Sequence, residues 1–485
     1  MKCLLPFLFI LFCSFGFSGS ALLEKNPDTK YDAFHKYSVE ELKEDIACLR
    51  SKLEHHNPNL YLYSTKVQMD AYFDSLSCHI PQPMTDMEFY RYVGPITSRI
   101  RDTHTSVFPN EDCEWWYGNQ RYFLPLLVTC NNDAVVTDLC ASPDRTIPDG
   151  STITRINGKT TDEILVRMKQ YAPRDGYNQS RVTWVLNNFF TYYYAYCVET
   201  PEYFDIDYIT REGVSASHRM YPNTVDSLWS YAYKYYPNRY ISGRRDSTIT
   251  LRFRNDSSVA ILRIRSFGKG SAATGDESFR KRILQCFTLI HKTPVKNLII
   301  DIRDNSGGNP EYARYVISHL IDKEYVYIEK YKTVERLHWN DADNRTRTQW
   351  YPYCGIGTFR PDRNCYTGML YVLMDGGSTS TAGDFAACLD YYKRATFIGE
   401  ESGANRVISG GNVFSRDFEL PNTKLRVRMS TIQGINKSDV VNDGHGVIPD
   451  YLVVPTPDDY MNFRNPMLEK ALELIRKKDC CDAYK

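Results

Sequence analysis

LIIDIRDNSGGNP, residues 298–310, is an apolar run that ends in charge and then in glycine. Leu298 to Ile300 read as a strand buried on both faces. Asp301 and Arg303 close it, and Asn305, Gly307 and Gly308 turn the chain toward a helix. Working outward, VAILRIRSF before it and MLYVLMD after it are further strands, separated by helical text over 278–291, 311–321 and 384–392. That alternation predicts an α/β domain with a mostly parallel, buried sheet. A closing helix over 467–477 is expected to turn Leu468, Leu472 and Ile475 inward.

Glycines at a strand-to-helix turn let backbone N–H groups face a ligand oxygen. No Gly-Lys-Ser/Thr follows, so a phosphate loop has no support. A structural turn alone would also explain these glycines, with Asp301 and Arg303 a local ion pair. The next strand ends at Asp375 and is followed by Gly-Gly-Ser-Thr, with Ser380 where a helix begins. A hydroxyl there is placed as a nucleophile beside free N–H donors. Its plain alternative is a helix N-cap. Ser378 is a second hydroxyl in the same turn.

The remaining chain of 485 residues supports two or three domains. From Ser38 the text is helical, with Leu42, Ile46, Leu49 and Leu53 on one face and Ser38 and Glu41 as a capping box. A helical pattern also runs from Met87 to Ile100, and Cys113 to Tyr117 interrupts it. The middle reads as strands and turns. FLPLLVTC and AVVTDLC look like neighbours, Pro-Asp-Gly leads into STITRI, Asn157-Gly158 turns, and a helix starts near Thr161. This stretch resembles a PDZ domain, a module that captures an extended peptide, usually at its free C-terminus.

Lys2, the apolar run Leu4 to Phe17 and the small residues Ser18 to Ala21 read as a secretory signal peptide. The run is too short to span a bilayer, and an exported chain is expected, in a periplasm or at a cell surface. Leaving out Cys3 and Cys13, twelve of the 14 cysteines remain, so disulfides are permitted. Cys354 and Cys365 are the best local pair, whereas Cys286 and Cys388 fall in apolar helical patterns and read as core thiols. No C-x-x-C occurs, which argues against zinc. The formal charge of zero gives no sign of a nucleic-acid partner. Sequons at Asn178, Asn255, Asn344 and Asn436 matter only in a eukaryotic secretory route.

Asp301-Ile-Arg-Asp-Asn305-Ser-Gly307-Gly308, Ser380-Thr-Ala-Gly-Asp384, Ile398-Gly-Glu400 and Gly446-Val-Ile-Pro449-Asp450 follow one another in that order. The succession resembles the C-terminal-processing (tail-specific) serine peptidases and their tricorn-like relatives. The resemblance covers nearly the whole mature chain. It implies a crotonase-like catalytic domain and these divisions: 1–21 signal peptide, 22–112 helical region, 113–235 PDZ-like domain, 236–485 peptidase domain. In one branch of the family a lysine is the base, but its place here falls near Asn405. The tricorn-like branch uses a histidine in a D-G-H-T-like motif, which Asp102-Thr103-His104-Thr105 matches.

The resemblance therefore implies Ser380 as nucleophile, His104 as general base, and Thr103 and Asp443 as a supporting relay. His445 lies close to Asp443 as a competing base or structural donor. The N–H of Gly307 or Gly308, with that of Thr381, is expected to form the oxyanion hole. No metal or organic cofactor is called for. The expected partner is a peptide or protein, taken through its C-terminus. One departure stands out: Gly383 occupies the place where the family often carries glutamate. The alternative is an inactive member that binds a peptide or a lipophile.

Overall fold

The computed structural model describes residues 31–131, 134–143, 145–235, 248–254, 257–268, 276–333, 355–411 and 417–483. The signal-peptide expectation and the Cys354 pairing lie outside these residues. Two compact units emerge. One is drawn from Met1–Pro173, Val185–Arg244 and Asn412–Thr431, the other from Arg174–Trp184, Arg245–Gly411 and Ile432–Lys485.

The first unit opens with helix α1 (Val39–His56). Ser38 caps it through the capping box with Glu41, and Leu42, Ile46, Leu49 and Leu53 form its buried face. Helices α2 (Lys66–Cys78), α3 (Asp86–Val93) and α4 (Ile96–Ile100) follow. The single helical pattern expected to Ile100 is thus split at Gly94-Pro95, because proline lacks the N–H a continuing helix needs. The segment expected to break periodicity is itself helix α5 (Glu111–Asn119), capped by Asn110. Its buried residues are only Cys113 and Glu114, so it carries no apolar stripe to read.

The middle sheet contains β1 (Leu126–Asn131), β2 (Ala134–Cys140) and β3 (Thr152–Ile156), paired antiparallel in that order, with β1 and β2 the neighbours expected. Helix α6 (Thr161–Lys169) starts after Thr160, whose hydroxyl and Glu163 make another capping box. The long α7 (Gln179–Tyr193) was not expected. Its aromatic residues suit strands as well as helices, but Val182, Val185 and Leu186 follow helical spacing and are buried, and the helix kinks at Phe189, with φ −134° and ψ 20°. Strands β4 (Phe204–Ile209) and β5 (Ser215–Met220) extend the sheet, Lys159–Thr160 adds a short sixth strand beside β3, and β5 is an edge.

A short strand, Ser106–Phe108, pairs antiparallel with Arg426–Arg428. Arg426 is buried there, donating to Glu114 and to the Pro109 carbonyl. Burial pushes the Glu114 carboxyl up to about 7, against the pull of the Arg426 charge. Asp45, also buried, accepts from the N–H groups of Asn422 and Thr423 at 2.8 and 2.9 Å.

The main sheet of the second unit has six strands, with helices on both faces. In chain order it holds β6 (Ile249–Arg254), β7 (Val259–Ile264), helix α8 (Asp276–Lys292), β8 (Asn297–Asp301), α9 (Pro310–Ser318), β9 (Met369–Met374), α10 (Thr381–Tyr391), β10 (Thr396–Gly399), β11 (Tyr451–Leu452) and α11 (Pro466–Ala483). The spatial order is β11-β10-β9-β8-β7-β6, with only β6 antiparallel to its neighbour. Alternate residues face opposite layers. Leu298, Ile300, Val372 and Met374 pack with α8, α9 and α10 residues, including Cys286 and Cys388, both buried thiols. Ile299, Tyr371, Leu373 and Ile398 pack with α11. The inward stripe of α11 is Met467, Ala471 and Ile475, with Leu468 and Leu472 on its flanks. Among the described residues, no helix is long and apolar enough to cross a membrane. Asn178 and Asn436 are buried, which leaves their sequons closed to a sugar in the folded chain.

Replacing Arg426 by alanine strands the Glu114 carboxylate in a dry site. A loss of about 3–5 kcal/mol is expected in denaturant unfolding at neutral pH. The loss should shrink as the pH is lowered and Glu114 takes up its proton.

Candidate active site

Parallel neighbours β8 and β9 end at the same edge of the sheet, and the turns that follow them are laced together. Ile302 N–H donates to Leu373 O at 3.0 Å, and Thr379 N–H to Asn305 O at 3.0 Å. Ser378, buried, donates its hydroxyl to Ile302 O at 2.9 Å and so serves the turn itself. Asp375 Oδ1 accepts from Gly377 N–H at 2.9 Å and from Asp304 N–H at 3.1 Å. Burial, with Asp304 and Glu400 nearby, pushes the Asp375 carboxyl well above the usual range.

Ser380 precedes α10 with φ 52° and ψ −131° and makes no capping hydrogen bond. Ser38, Thr65 and Thr85, which do cap helices, have φ near −65° and extended ψ. The N-cap reading of Ser380 therefore fails on both conformation and bonding. Such a backbone is costly for a residue with a side chain, and it holds the hydroxyl off the helix N-terminus.

Gly307 has φ +97°, and a β-carbon there would lie 2.7 Å from Ser380 Cβ and 2.9 Å from Thr381 N. Only glycine allows the turn after β8 to approach the serine this closely. Thr381 Oγ1 donates to Gly308 O at 2.8 Å. Ser380, Thr381, Gly307 and Gly308 are thus one cluster. The N–H of Gly307, however, donates to Asn305 Oδ1 at 2.9 Å. Asn305 was read from the sequence as a turn residue, but not as the acceptor that engages this N–H. Asp301 and Arg303 form a bidentate pair at 2.8 and 2.7 Å, the local ion pair that the plain-turn alternative offered. Burial works against the Asp301 charge, but Arg303 and then Arg263 hold its carboxyl below the usual range.

Gly383 has a packing reason: a β-carbon there would collide with Ala404 Cβ. Its neighbour Asp384 is buried, and its Oδ1 accepts from Asn436 Nδ2 at 2.8 Å. Burial pushes the Asp384 carboxyl up to about 6, against the hydrogen bonds of Asn436 and Ser409. Asn405 is buried and structural, its Oδ1 accepting from Val407 and Ile408 N–H at 2.7 and 3.0 Å. Lys393, the nearest lysine after α10, is exposed and paired with Asp390 at 3.1 Å.

Asp443 lies on a half-exposed loop. It takes Arg406 Nη2 at 2.6 Å and His445 N–H at 3.1 Å. Burial opposes its charge, but that N–H and the guanidinium together hold its carboxyl below the usual range. His445 Nδ1 is 3.1 Å from Glu401 Oε1.

Thr103 and His104 belong to the first unit. Helix α4 ends at Arg101, whose φ of 60° turns the chain out of the helix. Asp102, buried, accepts from His104 N–H at 3.0 Å and from Thr105 Oγ1 at 2.7 Å. Thr105 Oγ1 in turn accepts from Asn57 Nδ2 at 2.9 Å and Ser430 N–H at 3.2 Å. The loop that presents His104, itself half-buried, is therefore fixed from three places in the chain. Among the described residues there is no cluster of His, Cys, Asp and Glu suited to a metal.

Residues 258–453 match the profile of peptidase family S41. The tail-specific protease of Haemophilus influenzae is 22% identical over 175 residues, which are 36% of this chain and 21% of that protein. The chain thus matches about a fifth of the length of that curated relative. The solved structure of mature CPAF is similar with a TM-score of 0.65 at 13% identity, over 91% of this chain and 97% of that one. Mature CPAF complexed with lactacystin gives 0.64 at 14% identity, over 91% and 98%. At such identities the likeness is one of fold.

For Asp384 the sign of the pH effect is fixed by its raised folded-state value. Between about pH 4 and 6 the native state holds a proton that the unfolded chain has released, so stability falls as pH rises through that window. A shift of about two units corresponds to roughly 3 kcal/mol. Unfolding of Asp384→Asn, measured from pH 4 to 7, should show that slope flattened.

Proposed function

We propose, because residues 258–453 match the profile of peptidase family S41, that this chain is a serine peptidase with Ser380 as nucleophile. The observation that carries the reading is the Ser380 backbone, φ 52° without a capping bond, packed against Gly307. That conformation is hard to account for by a structural serine.

In the mechanism proposed, His104 accepts the Ser380 proton as the hydroxyl attacks the scissile carbonyl, then returns it to the leaving amine. The N–H groups of Gly308 and Thr381 take the oxyanion, since that of Gly307 is already used by Asn305. Thr103 supplies an auxiliary hydroxyl beside the base. Asp443 enters as the relay carboxylate, and Arg406 and the N–H of His445 are the partners it would have to share. A Ser–Lys dyad is disfavoured by the buried, fully engaged Asn405 and by the surface pairing of Lys393.

The proposal extends to the chain's organisation: an exported protein with a signal peptide over 1–21, a helical region to 112, a PDZ-like domain over 113–235 and a crotonase-like peptidase domain from 236. The substrate is a peptide or protein, delivered by its C-terminus. Cys130 N–H of β1 donates to Asn187 Oδ1 at 2.6 Å, so strand addition by a peptide is better served by the β5 edge.

A fluorophosphonate probe should label the wild-type chain and leave Ser380→Ala unlabelled. His104→Ala should lose peptide turnover by about 10⁴-fold or more while keeping its melting temperature. Labelling that survives Ser380→Ala would remove the nucleophile assignment. For the capture role, peptides with a free C-terminus should bind more tightly than the same peptides as amides. Equal affinity would end that part of the proposal.

A further inference from the structure

Residues 174–184 brace the turns at the sheet's carboxyl edge, and the peptidase reading does not use them. Trp184 Nε1 donates to Asp304 Oδ1 at 2.9 Å, and both belong to the second unit. Asp304 has φ 60°, and its N–H donates to Asp375 Oδ1 across the gap between the turns after β8 and β9. The same Asp375 oxygen closes the turn that leads to Ser380 by accepting from Gly377 N–H. A β-carbon at Gly377 would lie 2.5 Å from Trp184 Nε1 and 2.9 Å from Asp304 Cα, so indole, aspartate and glycine are mutually packed.

Arg181, buried one turn earlier, places its guanidinium 4.9 Å from the Trp184 ring and donates Nη1 to Gly376 O at 3.3 Å. Asn178 anchors the start of the helix by donating to Ser402 O at 2.6 Å. The first two turns of α7 thus contact the loops that follow β8, β9 and β10.

We infer that Trp184 is a positioning residue for the Ser380 reaction, its indole N–H holding Asp304 and so the spacing of the nucleophile and oxyanion turns. The inference rests on the serine-peptidase reading. Asp304 occupies a backbone region that most residues avoid, and its side-chain bond to Trp184, with Arg263 Nη2 3.6 Å from its other oxygen, keeps its N–H aimed at Asp375. Releasing that bond lets the turn after β8 relax, which separates Gly308 from Ser380 without touching the substrate-binding surface. Small misplacements of this kind reduce turnover while leaving ground-state binding intact.

The test compares Trp184→Phe, Asp304→Ala and Asp304→Asn in the full chain. Readouts are peptide kcat and KM, the rate of fluorophosphonate labelling, and thermal melting. Trp184→Phe keeps the ring and loses the N–H donor. It should lower kcat and the labelling rate about 10- to 100-fold with KM within about twofold of wild type. Asp304→Ala should fall equally, whereas Asp304→Asn, whose side-chain carbonyl still accepts the indole N–H, should keep most of the activity. Wild-type kcat in Trp184→Phe or in Asp304→Ala overturns the inference. So does a loss that merely tracks the fraction unfolded, or a rise in KM at unchanged kcat. A wild-type chain that neither labels nor cleaves peptide overturns the peptidase reading itself, and the inference with it.

Discussion

Everything chemical in the second unit depends on the parallel, in-register pairing of Asn297–Asp301 with Met369–Leu373. Parallel neighbours finish at the same edge, so the glycine turn after one strand and the hydroxyl turn after the other must meet. Burial of both sheet faces makes the register hard to change. A slip of one residue would exchange the layer of Leu298 and Ile300 with that of Ile299. The position of Ser380 beside Gly307 is thus inherited from core packing several residues upstream.

That inheritance explains how strain is tolerated at the edge. Ser380 and Asp304 both have positive φ, a cost of about 1–3 kcal/mol each for an outlying non-glycine residue. The bonds from Thr379 to Asn305, from Ser378 to Ile302 and from Asp304 to Asp375 resist relaxation. The carboxylates behind the turns add a second load. Arg303 neutralises Asp301, whereas Asp375 lies with Asp304 and Glu400, and burial pushes Glu400 up to about 7.

What could be read from the sequence was local or periodic. The α1 stripe and its capping box, the helix start near Thr161, the Asn157-Gly158 turn and the buried strands around Asp301 follow from neighbouring residues alone. Helix α5 was missed because an acidic first turn and two buried residues leave no periodic face. Helix α7 was missed because aromatic and β-branched residues suit strands as well as buried helices. The long-range pieces carried no local signal. Examples are Arg426 against Glu114, more than 300 residues apart, and Trp184 against Asp304. Among the site residues, motif order singled out Ser380 and the glycines, but not which glycine N–H was already engaged.

The missing information had a simple form. Asp102 to His104, Asn305 to Gly307, Asp375 to Gly377, Asn405 to Val407 and Asp443 to His445 each close a turn with a side-chain oxygen on the N–H two residues on. Such a turn fixes a loop without borrowing a partner from another element, which suits segments that must present a group at a sheet edge. It also removes one N–H from any other use. Gly307 and Gly377 are therefore poor oxyanion donors despite their flexibility, and the task passes to residues that follow the closed turn. On this reasoning the asparagine at 305 matters to the chemistry twice: it shapes the glycine turn, and by engaging Gly307 it leaves Gly308 as the donor facing Ser380 in the proposed mechanism.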